Sequence, residues 1–150
     1  MRTVSFDELP SLVGQELGVS DWAMIDQDRI NKFADATSDH QWIHVNIERA
    51  KKQMPDGKTI AHGYLTLSLI PMLAAQIMRV TGVSRGINYG SNKVRFINAV
   101  QVGSRVRGRQ KLLSAEPRGE GMQLISEFTI EIEGQERPAC IAETIGLIYR

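Results

Sequence analysis

The sequence has little cysteine and almost no net charge, and each shortage excludes a class of protein. Cys140 is the single cysteine, so an internal disulfide cannot form. The 18 basic and 17 acidic residues leave a net charge of +1, which supplies no broad electrostatic reason to bind nucleic acid or an anionic membrane. We therefore expect neither partner, and any anion site should be local.

Long apolar segments are also scarce. Residues 1–8 lack the apolar run of a secretory signal, so we expect a cytoplasmic protein. Residues 63–78 carry no charge, but this segment is shorter than the roughly 20 apolar residues of a membrane span and contains Pro71 and Gln76. Linkers and internal repeats are lacking too, so the 150 residues suit one globular domain covering 1–150.

The first half of the chain is predicted to form short helices. Residues 6–17 mix apolar and acidic side chains and suit a short helix. Asp26 is a candidate N-cap, because apolar residues follow it at helical spacing and the helix should stop near Thr37. Residues 38–42 then form a loop, and Asn46 can cap a second short helix.

The second half changes from one apolar helix to strands. Residues 63–78 have no clearly polar face and predict an enclosed central helix of about 24 Å, which Pro71 should kink. Beyond Thr81, alternating and branched residues predict three or four antiparallel strands separated by turns. This pattern indicates an α+β fold in which a sheet curls around the helix. Because such a sheet leaves edge strands, we expect a second copy to pair with it in a homodimer.

Three residues can supply the chemistry of adding water to a trans-2-enoyl thioester. The reaction needs a base to activate the water, an acid to protonate the α-carbon and a donor for the enolate-like oxygen. Asp39 and His44 can supply the first two by holding one water between them, which would give syn addition. The peptide N–H of Gly63 can supply the third, because the first amides of a helix lack partners within it and glycine allows close approach.

Two sequence motifs resemble those of the MaoC-like, or (R)-specific enoyl-CoA hydratase, family. Residues 38–44 read Ser-Asp-His-Gln-Trp-Ile-His, and residues 61–63 read Ala-His-Gly. The usual family motif is Gly-Asp-x-Asn-Pro-aliphatic-His. Here Ser38 replaces the glycine and Gln-Trp replaces Asn-Pro, as in the branch named for nodulation protein N. The resemblance spans most of the chain, from Asp26 to about Arg109.

The resemblance implies a fold, a reaction and a set of site residues. The fold is the hot-dog fold, in which an antiparallel sheet wraps a long central helix. Asp39 and His44 are the catalytic pair, and the amide of Gly63 is the oxyanion donor. The reaction converts trans-2-enoyl-CoA to (R)-3-hydroxyacyl-CoA, or the reverse, with coenzyme A as part of the substrate and no metal or redox cofactor.

We expect His44 to act as the base, because a neutral imidazole beside a carboxylate accepts a proton near neutral pH. Asp39 then becomes the proton donor after a relay. Each residue has a structural alternative: an aspartate often forms a turn, and a histidine often bonds a carbonyl. His40 and His44 have a spacing that could bind a metal on a helix, but no fourth ligand is spaced to match, so we expect no metal.

Other residues have more open interpretations. Ser68 is a candidate substrate-binding residue, although a serine on a helix often bonds its own backbone. Trp42 suits the core or the wall of the pocket, and His62 suits packing or a bond to the backbone. The basic residues 105, 107, 109 and 111 share one strand face, which is either solvated or, with residues 93 and 95, a contact for the phosphates of coenzyme A. Cys140 suits a buried strand position.

Two other functions compete with hydration. A hot-dog acyl-CoA thioesterase would direct the same water to the carbonyl carbon. An acyl-thioester binding module would keep the fold without any reaction. The presence of both Asp39 and His44 argues against the binding module, because binding alone does not need a paired carboxylate and imidazole.

Overall fold

The computed structural model describes residues 1–150 and contains eight strands, five α-helices and one short 3-10 helix. The strands are β1 (Arg2–Ser5), β2 (Glu16–Val19), β3 (Ala23–Ile25), β4 (Met78–Thr81), β5 (Arg85–Phe96), β6 (Ser104–Arg118), β7 (Gly121–Ile132) and β8 (Cys140–Tyr149). The helices are α1 (Gln27–Thr37), α2 (Trp42–Val45), α3 (Ile47–Gln53), α4 (Gly63–Ser68) and α5 (Ile70–Ile77), and the 3-10 helix covers Phe6–Leu12.

The main sheet is antiparallel and has the strand order β2-β6-β7-β8-β5, with β3 also paired to β6. Its four long strands all follow Thr81, as the alternating pattern predicts. The short strands β2 and β3 add to the sheet from the first half of the chain, and no sequence pattern predicted them. A separate parallel pair joins β1 to β4.

The core lies between this sheet and the two helices α4 and α5. Leu65 and Leu73 from the helices belong to one buried apolar cluster with Val106, Phe128 and other strand residues. The approach is close at Gly108 on β6, where a Cβ atom would lie 3.2 Å from the side chain of Leu73. The protein is therefore an α+β fold whose sheet packs against a central helical segment.

The predicted single helix over residues 63–78 is in fact two helices. They meet at Leu69, and Pro71 follows in the first turn of α5, where a proline has no N–H to continue the bonding of α4. Residue 78 already belongs to β4. The prediction that this helix is enclosed all round is wrong for the single chain, because Tyr64 is 68% exposed and Met72 is also exposed.

The local predictions for the first half of the chain are largely confirmed. The Asp26 side chain accepts a hydrogen bond from the amide of Arg29 at 2.9 Å, and α1 ends at Thr37. In the same way Asn46 caps α3 by accepting from the amide of Arg49 at 3.0 Å.

Two boundaries in this half differ from the prediction. The expected helix over residues 6–17 stops at Leu12, and residue 17 lies in β2. The expected loop over residues 38–42 ends one residue early, because Trp42 begins the single turn of α2. None of the helices combines the length and the apolar character needed to cross a membrane.

Candidate active site

Asp39, His44 and His62 meet at one place, although three different segments supply them. Asp39 lies in the loop after α1, His44 lies on α2, and His62 directly precedes α4. One side-chain nitrogen or oxygen from each residue lies within 4.8 Å of the others. Two hydrogen bonds of about 2.8 Å span roughly 5.6 Å, so one water molecule fits between groups this far apart.

The imidazole of His44 is held in one tautomer. Its Nδ1 lies 2.7 Å from the carbonyl oxygen of Ile60. A carbonyl can only accept, so Nδ1 carries the proton and Nε2 keeps its lone pair. Burial lowers the pKa of His44 below its usual value of 6.5, and the nearby His62 lowers it further. The bond to Ile60 and the charge of Asp39 raise the pKa, but the net shift is downward. His44 is thus a neutral imidazole whose free nitrogen can accept a proton.

His62 holds both neighbours in place. Its Nε2 donates to the backbone carbonyl of Asp39 at 3.0 Å and lies 4.0 Å from the Asp39 carboxylate. Its ring stacks on the ring of His44, with the centroids 3.8 Å apart and the planes 23° from parallel. The bond to the backbone matches one of the roles expected for His62. The sequence pattern did not predict that His62 links Asp39 to His44. The place of His62 beside Gly63 in the Ala-His-Gly motif could have indicated this role.

Asp39 and His44 differ in their access to solvent. Ser38 adopts a left-handed conformation with φ 60°, which ends α1 and turns the chain at Asp39. The Asp39 side chain is 53% exposed and accepts a long bond of 3.4 Å from the amide of Gln41. His44 is only 6% exposed. The carboxylate therefore lies at the solvent side of the group and the imidazole at its inner side.

A cavity of about 280 Å³ joins His44 to the first residue of α4. Its lining includes His44, Gly63, Thr66, Phe96 and Asn98. Gly63 opens α4, so its amide has no acceptor within the helix. A Cβ atom at Gly63 would lie 3.0 Å from the ring of Phe96, so a side chain would press on that ring. We call this space the catalytic cavity; an N–H donor and a proton acceptor share it.

The structure does not bring Trp42 or Ser68 into the catalytic cavity. Trp42 is half-buried, and the guanidinium of Arg49 lies 4.1 Å above its ring. The hydroxyl of Ser68 donates to the carbonyl of Tyr64 at 2.6 Å. This is the bond to its own helix that we gave as the alternative to substrate binding. Ser68 lines a second, larger cavity further along the helices.

The histidines are poorly arranged for a metal ion. His40 does not join the group, since its Nε2 lies 2.8 Å from the carboxylate of Asp35 on the surface. In His44 and His62 one nitrogen bonds a carbonyl, which leaves one nitrogen of each for a metal. A metal must lie near the plane of each ring at about 2.0–2.1 Å from its nitrogen. Two stacked rings direct their lone pairs along nearly parallel planes, so they cannot both reach one ion.

The basic strand face is paired with acidic side chains. Arg105 contacts Glu133 at 2.5 Å, Arg107 contacts Glu131 at 2.9 Å, and Arg109 contacts both Glu131 and Glu16. This pairing fits the solvated outer face that we gave as one interpretation of these residues. On β8, Cys140 is buried, as expected, and burial raises the pKa of its thiol to about 11.

Comparison with known proteins places the chain in a family. Residues 8–125 match the family described as MaoC like domain. A protein named 3-hydroxyacyl-thioester dehydratase Z from Mycobacterium tuberculosis is 51% identical over 147 residues, which is 97% of each chain. Nodulation protein N from Rhizobium leguminosarum bv. viciae is 47% identical over 150 residues, which is 99% of this chain and 93% of the relative.

A solved structure supports the fold. An (R)-hydratase from A. caviae superposes with a TM-score of 0.70 at 22% identity, over 89% of this chain and 94% of that one. The fold is therefore the hot-dog fold, with the antiparallel sheet packed against α4 and α5 as described above. The family match and the two relatives of about half-identical sequence show that this chain belongs to the MaoC-like dehydratase family.

Proposed function

We propose that this protein interconverts trans-2-enoyl thioesters and (R)-3-hydroxyacyl thioesters by adding or removing water. One observation carries this proposal: the unprotonated Nε2 of His44 and the amide of Gly63 belong to the same cavity, and Asp39 lies beside His44. The name of the relative from M. tuberculosis, a 3-hydroxyacyl-thioester dehydratase, supports the same reaction.

His44 acts as the base in the hydration direction. A water held between His44 and Asp39 loses one proton to Nε2 as its oxygen bonds the β-carbon of the enoyl group. The bond from Nδ1 to Ile60 fixes the ring in the tautomer that this step needs. Because burial keeps the pKa of His44 low, the imidazole is ready to accept a proton at neutral pH.

Gly63 stabilises the negative charge that develops on the substrate. As the β-carbon gains oxygen, electrons move through the double bond to the thioester carbonyl, which takes on enolate character. The N–H of Gly63 donates to this oxygen, and glycine at this position avoids the contact that a Cβ atom would make with Phe96. The interruption at Leu69 leaves α4 with six residues, so we assign the effect to the N–H itself and not to a long helix dipole.

Asp39 completes the addition. The proton taken by His44 passes through the Asp39 carboxylate to the α-carbon, and the carbonyl re-forms. Both parts of the water then reach the double bond from the side on which Asp39 and His44 lie, so addition is syn. His62 is a positioning residue, since it bonds the backbone of Asp39 and stacks on His44. We propose that no metal or redox cofactor takes part and that coenzyme A carries the acyl group.

We also propose that the protein works as a homodimer in the cytoplasm. Strand β5 is an edge of the main sheet, and its side chains Ile87 and Tyr89 are exposed. Tyr64 and Met72 on the neighbouring helices are exposed as well. A second copy paired along β5 would cover this apolar surface. Light scattering after size-exclusion chromatography should give about twice the mass of one chain; a monomer at micromolar concentration would refute the dimer.

The reaction is tested by mixing the protein with crotonyl-CoA. We would follow the absorbance of the enoyl group and the release of free thiol in the same sample. Hydration removes the absorbance without releasing thiol. Thiol release would instead identify a thioesterase, and no change in either signal would identify a binding module. Activity that a chelator abolished would argue against the metal-free mechanism.

A further inference from the structure

A second cavity, of about 540 Å³, lies between the helices α4 and α5 and the strands β5 to β8. We call it the helix–sheet cavity. Its volume is within the range of sites that hold small organic ligands. It is lined by apolar side chains and by neutral polar ones, and no charged residue lines it. Because charge buried without a partner is costly, the cavity suits a neutral ligand.

A row of polar side chains crosses the sheet on the floor of this cavity. Ser91 on β5 is paired with Thr144 on β8, which is paired in turn with Ser126 on β7. Residues paired directly across antiparallel strands share one face of the sheet. The amide nitrogen of Gln110 on β6 extends the row, donating to the hydroxyl of Ser126 at 3.1 Å. All four residues line the cavity.

Gln110 occupies a position where the core pattern calls for an apolar residue. It lies between Gly108 and Leu112 on the inner face of β6, and those neighbours are buried. Gln110 is itself only 7% exposed, and Ser126 is 5% exposed. The Oε1 atom of Gln110 is buried and has no hydrogen-bond partner in the protein. An unpaired buried acceptor costs free energy, so a donor placed here by a ligand or a water molecule would stabilise it.

Both cavities border the helix α4. Gly63 and Thr66 line the catalytic cavity, and Leu67 and Ser68 line the helix–sheet cavity. At 1.5 Å per residue, Gly63 and Ser68 lie roughly 7.5 Å apart along the helix axis. An acyl chain whose thioester carbonyl meets the amide of Gly63 must extend at least this far along α4 to reach the larger cavity.

We infer that the helix–sheet cavity selects acyl chains that carry a hydroxyl group away from the thioester, with Gln110 and Ser126 as its partners. This inference rests on the proposed hydratase function and narrows its substrate class. A hydroxyl can donate to the unpaired Oε1 of Gln110 and accept from the hydroxyl of Ser126. A keto group cannot donate, and a carboxylate would be buried without a counter-charge.

The test compares matched substrates of different lengths. The substrates are trans-2-hexenoyl-, trans-2-octenoyl- and trans-2-decenoyl-CoA, each either unsubstituted or with a hydroxyl on its last carbon. For each length we would measure the ratio of kcat/KM for the hydroxylated chain to kcat/KM for the plain chain. Each ratio is taken within one protein preparation, so it does not depend on how much of a variant is folded.

The wild-type ratio should reach about tenfold at the length that places the hydroxyl beside Gln110, which is the effect of one neutral hydrogen bond. In Gln110→Met that preference should disappear, and in Ser126→Ala it should become smaller. The same exchange at an exposed position that lines neither cavity, Gln53→Met, should leave the ratio at the wild-type value.

Two failures are distinguishable. If plain chains are hydrated but no length favours the hydroxyl, the inference is wrong and the proposed function stands. The same conclusion follows if Gln110→Met keeps the full preference. If no substrate of either kind is hydrated, the proposed function itself fails and the inference fails with it.

Discussion

The side chains of the Asp39, His44 and His62 group and those of the helix–sheet cavity are held in different ways. In the first group, Nδ1 of His44 and Nε2 of His62 both bond backbone carbonyls, so the rings are fixed before any substrate arrives, while Nδ1 of His62 is buried and unpaired. In the helix–sheet cavity, Gln110 bonds only another side chain and keeps one oxygen unpaired. The first arrangement suits a reaction, because groups held in place need little reorganisation. The second suits selection between ligands, because the unpaired oxygen of Gln110 favours a ligand that can donate a hydrogen bond to it.

The largest effect should come from removing the reacting side chains. We expect Asp39→Asn and His44→Ala each to lower kcat for crotonyl-CoA by about 10³-fold or more, since general acid–base groups contribute about 10²–10⁴ each and these two share one water. His40→Ala, in the same loop but paired with Asp35 at the surface, should stay near the wild-type rate. Absorbance of the enoyl group measures all three. Full activity in either site variant would remove the catalytic assignment.

The next effect concerns the amide of Gly63. A proline at this position lacks the N–H but suits the first residue of a helix, and His62 already has the extended backbone that a following proline requires. We expect Gly63→Pro to lower kcat by about 10²–10³-fold relative to Gly63→Ala, because one oxyanion donor is lost.

Gly63→Ala is the matched control, because its Cβ presses on Phe96 just as the proline ring does while its N–H is kept. Circular dichroism would verify that both variants fold. Equal rates in the two variants would show that another group stabilises the oxyanion.

A smaller effect should follow from His62→Phe. Phenylalanine keeps a ring against His44 but loses the bond to the carbonyl of Asp39, so kcat should fall by about tenfold to a hundredfold with little change in KM. The pH profile should change too. Wild-type activity should be lost on acidification only below pH 6.5, since burial lowers the pKa of His44 and protonation removes the base.

His62 adds to that lowering of the pKa of His44, so the acidic limb of the His62→Phe profile should move upward. A purely structural role for His62 would reduce the amount of folded protein and leave the position of the limb unchanged. The pH dependence of kcat/KM therefore separates the two explanations.

The smallest effect should appear in stability and should separate the cavities most clearly. Gln110→Met removes a buried oxygen that has no partner, so the free energy of unfolding should stay constant or rise by up to about 1 kcal/mol. His62→Phe removes the bond to the carbonyl of Asp39 as well as the unpaired Nδ1, and the loss of that bond should lower the same free energy. Urea titration measures both. Strong destabilisation by Gln110→Met would mean that Gln110 is needed by the fold and not by a ligand.

The candidate catalytic group could be predicted from sequence because its parts are local. Asp39, His44 and Gly63 lie within 25 consecutive residues, and the caps Asp26 and Asn46 set the helices around them by bonds to residues three positions away. Side-chain chemistry and a family motif were therefore enough to bring these residues into one hypothesis.

The helix–sheet cavity could not be predicted in this way. Ser91, Gln110, Ser126 and Thr144 become neighbours only through the register of four strands, and irregularities near residues 112–114 and 88–93 shift that register. Ser68 shows the same limit, because where its hydroxyl points depends on the end of α4 at Leu69. From sequence alone, a polar residue within a strand is predicted to face solvent, and only the residues paired with it on neighbouring strands show otherwise.

The most direct test of the central claim is hydration of crotonyl-CoA in D₂O, followed by NMR of the 3-hydroxybutyryl product. If Asp39 and His44 deliver one water from one side, deuterium and hydroxyl add to the same face, and the coupling between the remaining protons on carbons 2 and 3 should report a single syn product with (R) configuration at carbon 3. An anti product or a mixture of both would show that the two side chains do not act on a shared water and would contradict the account.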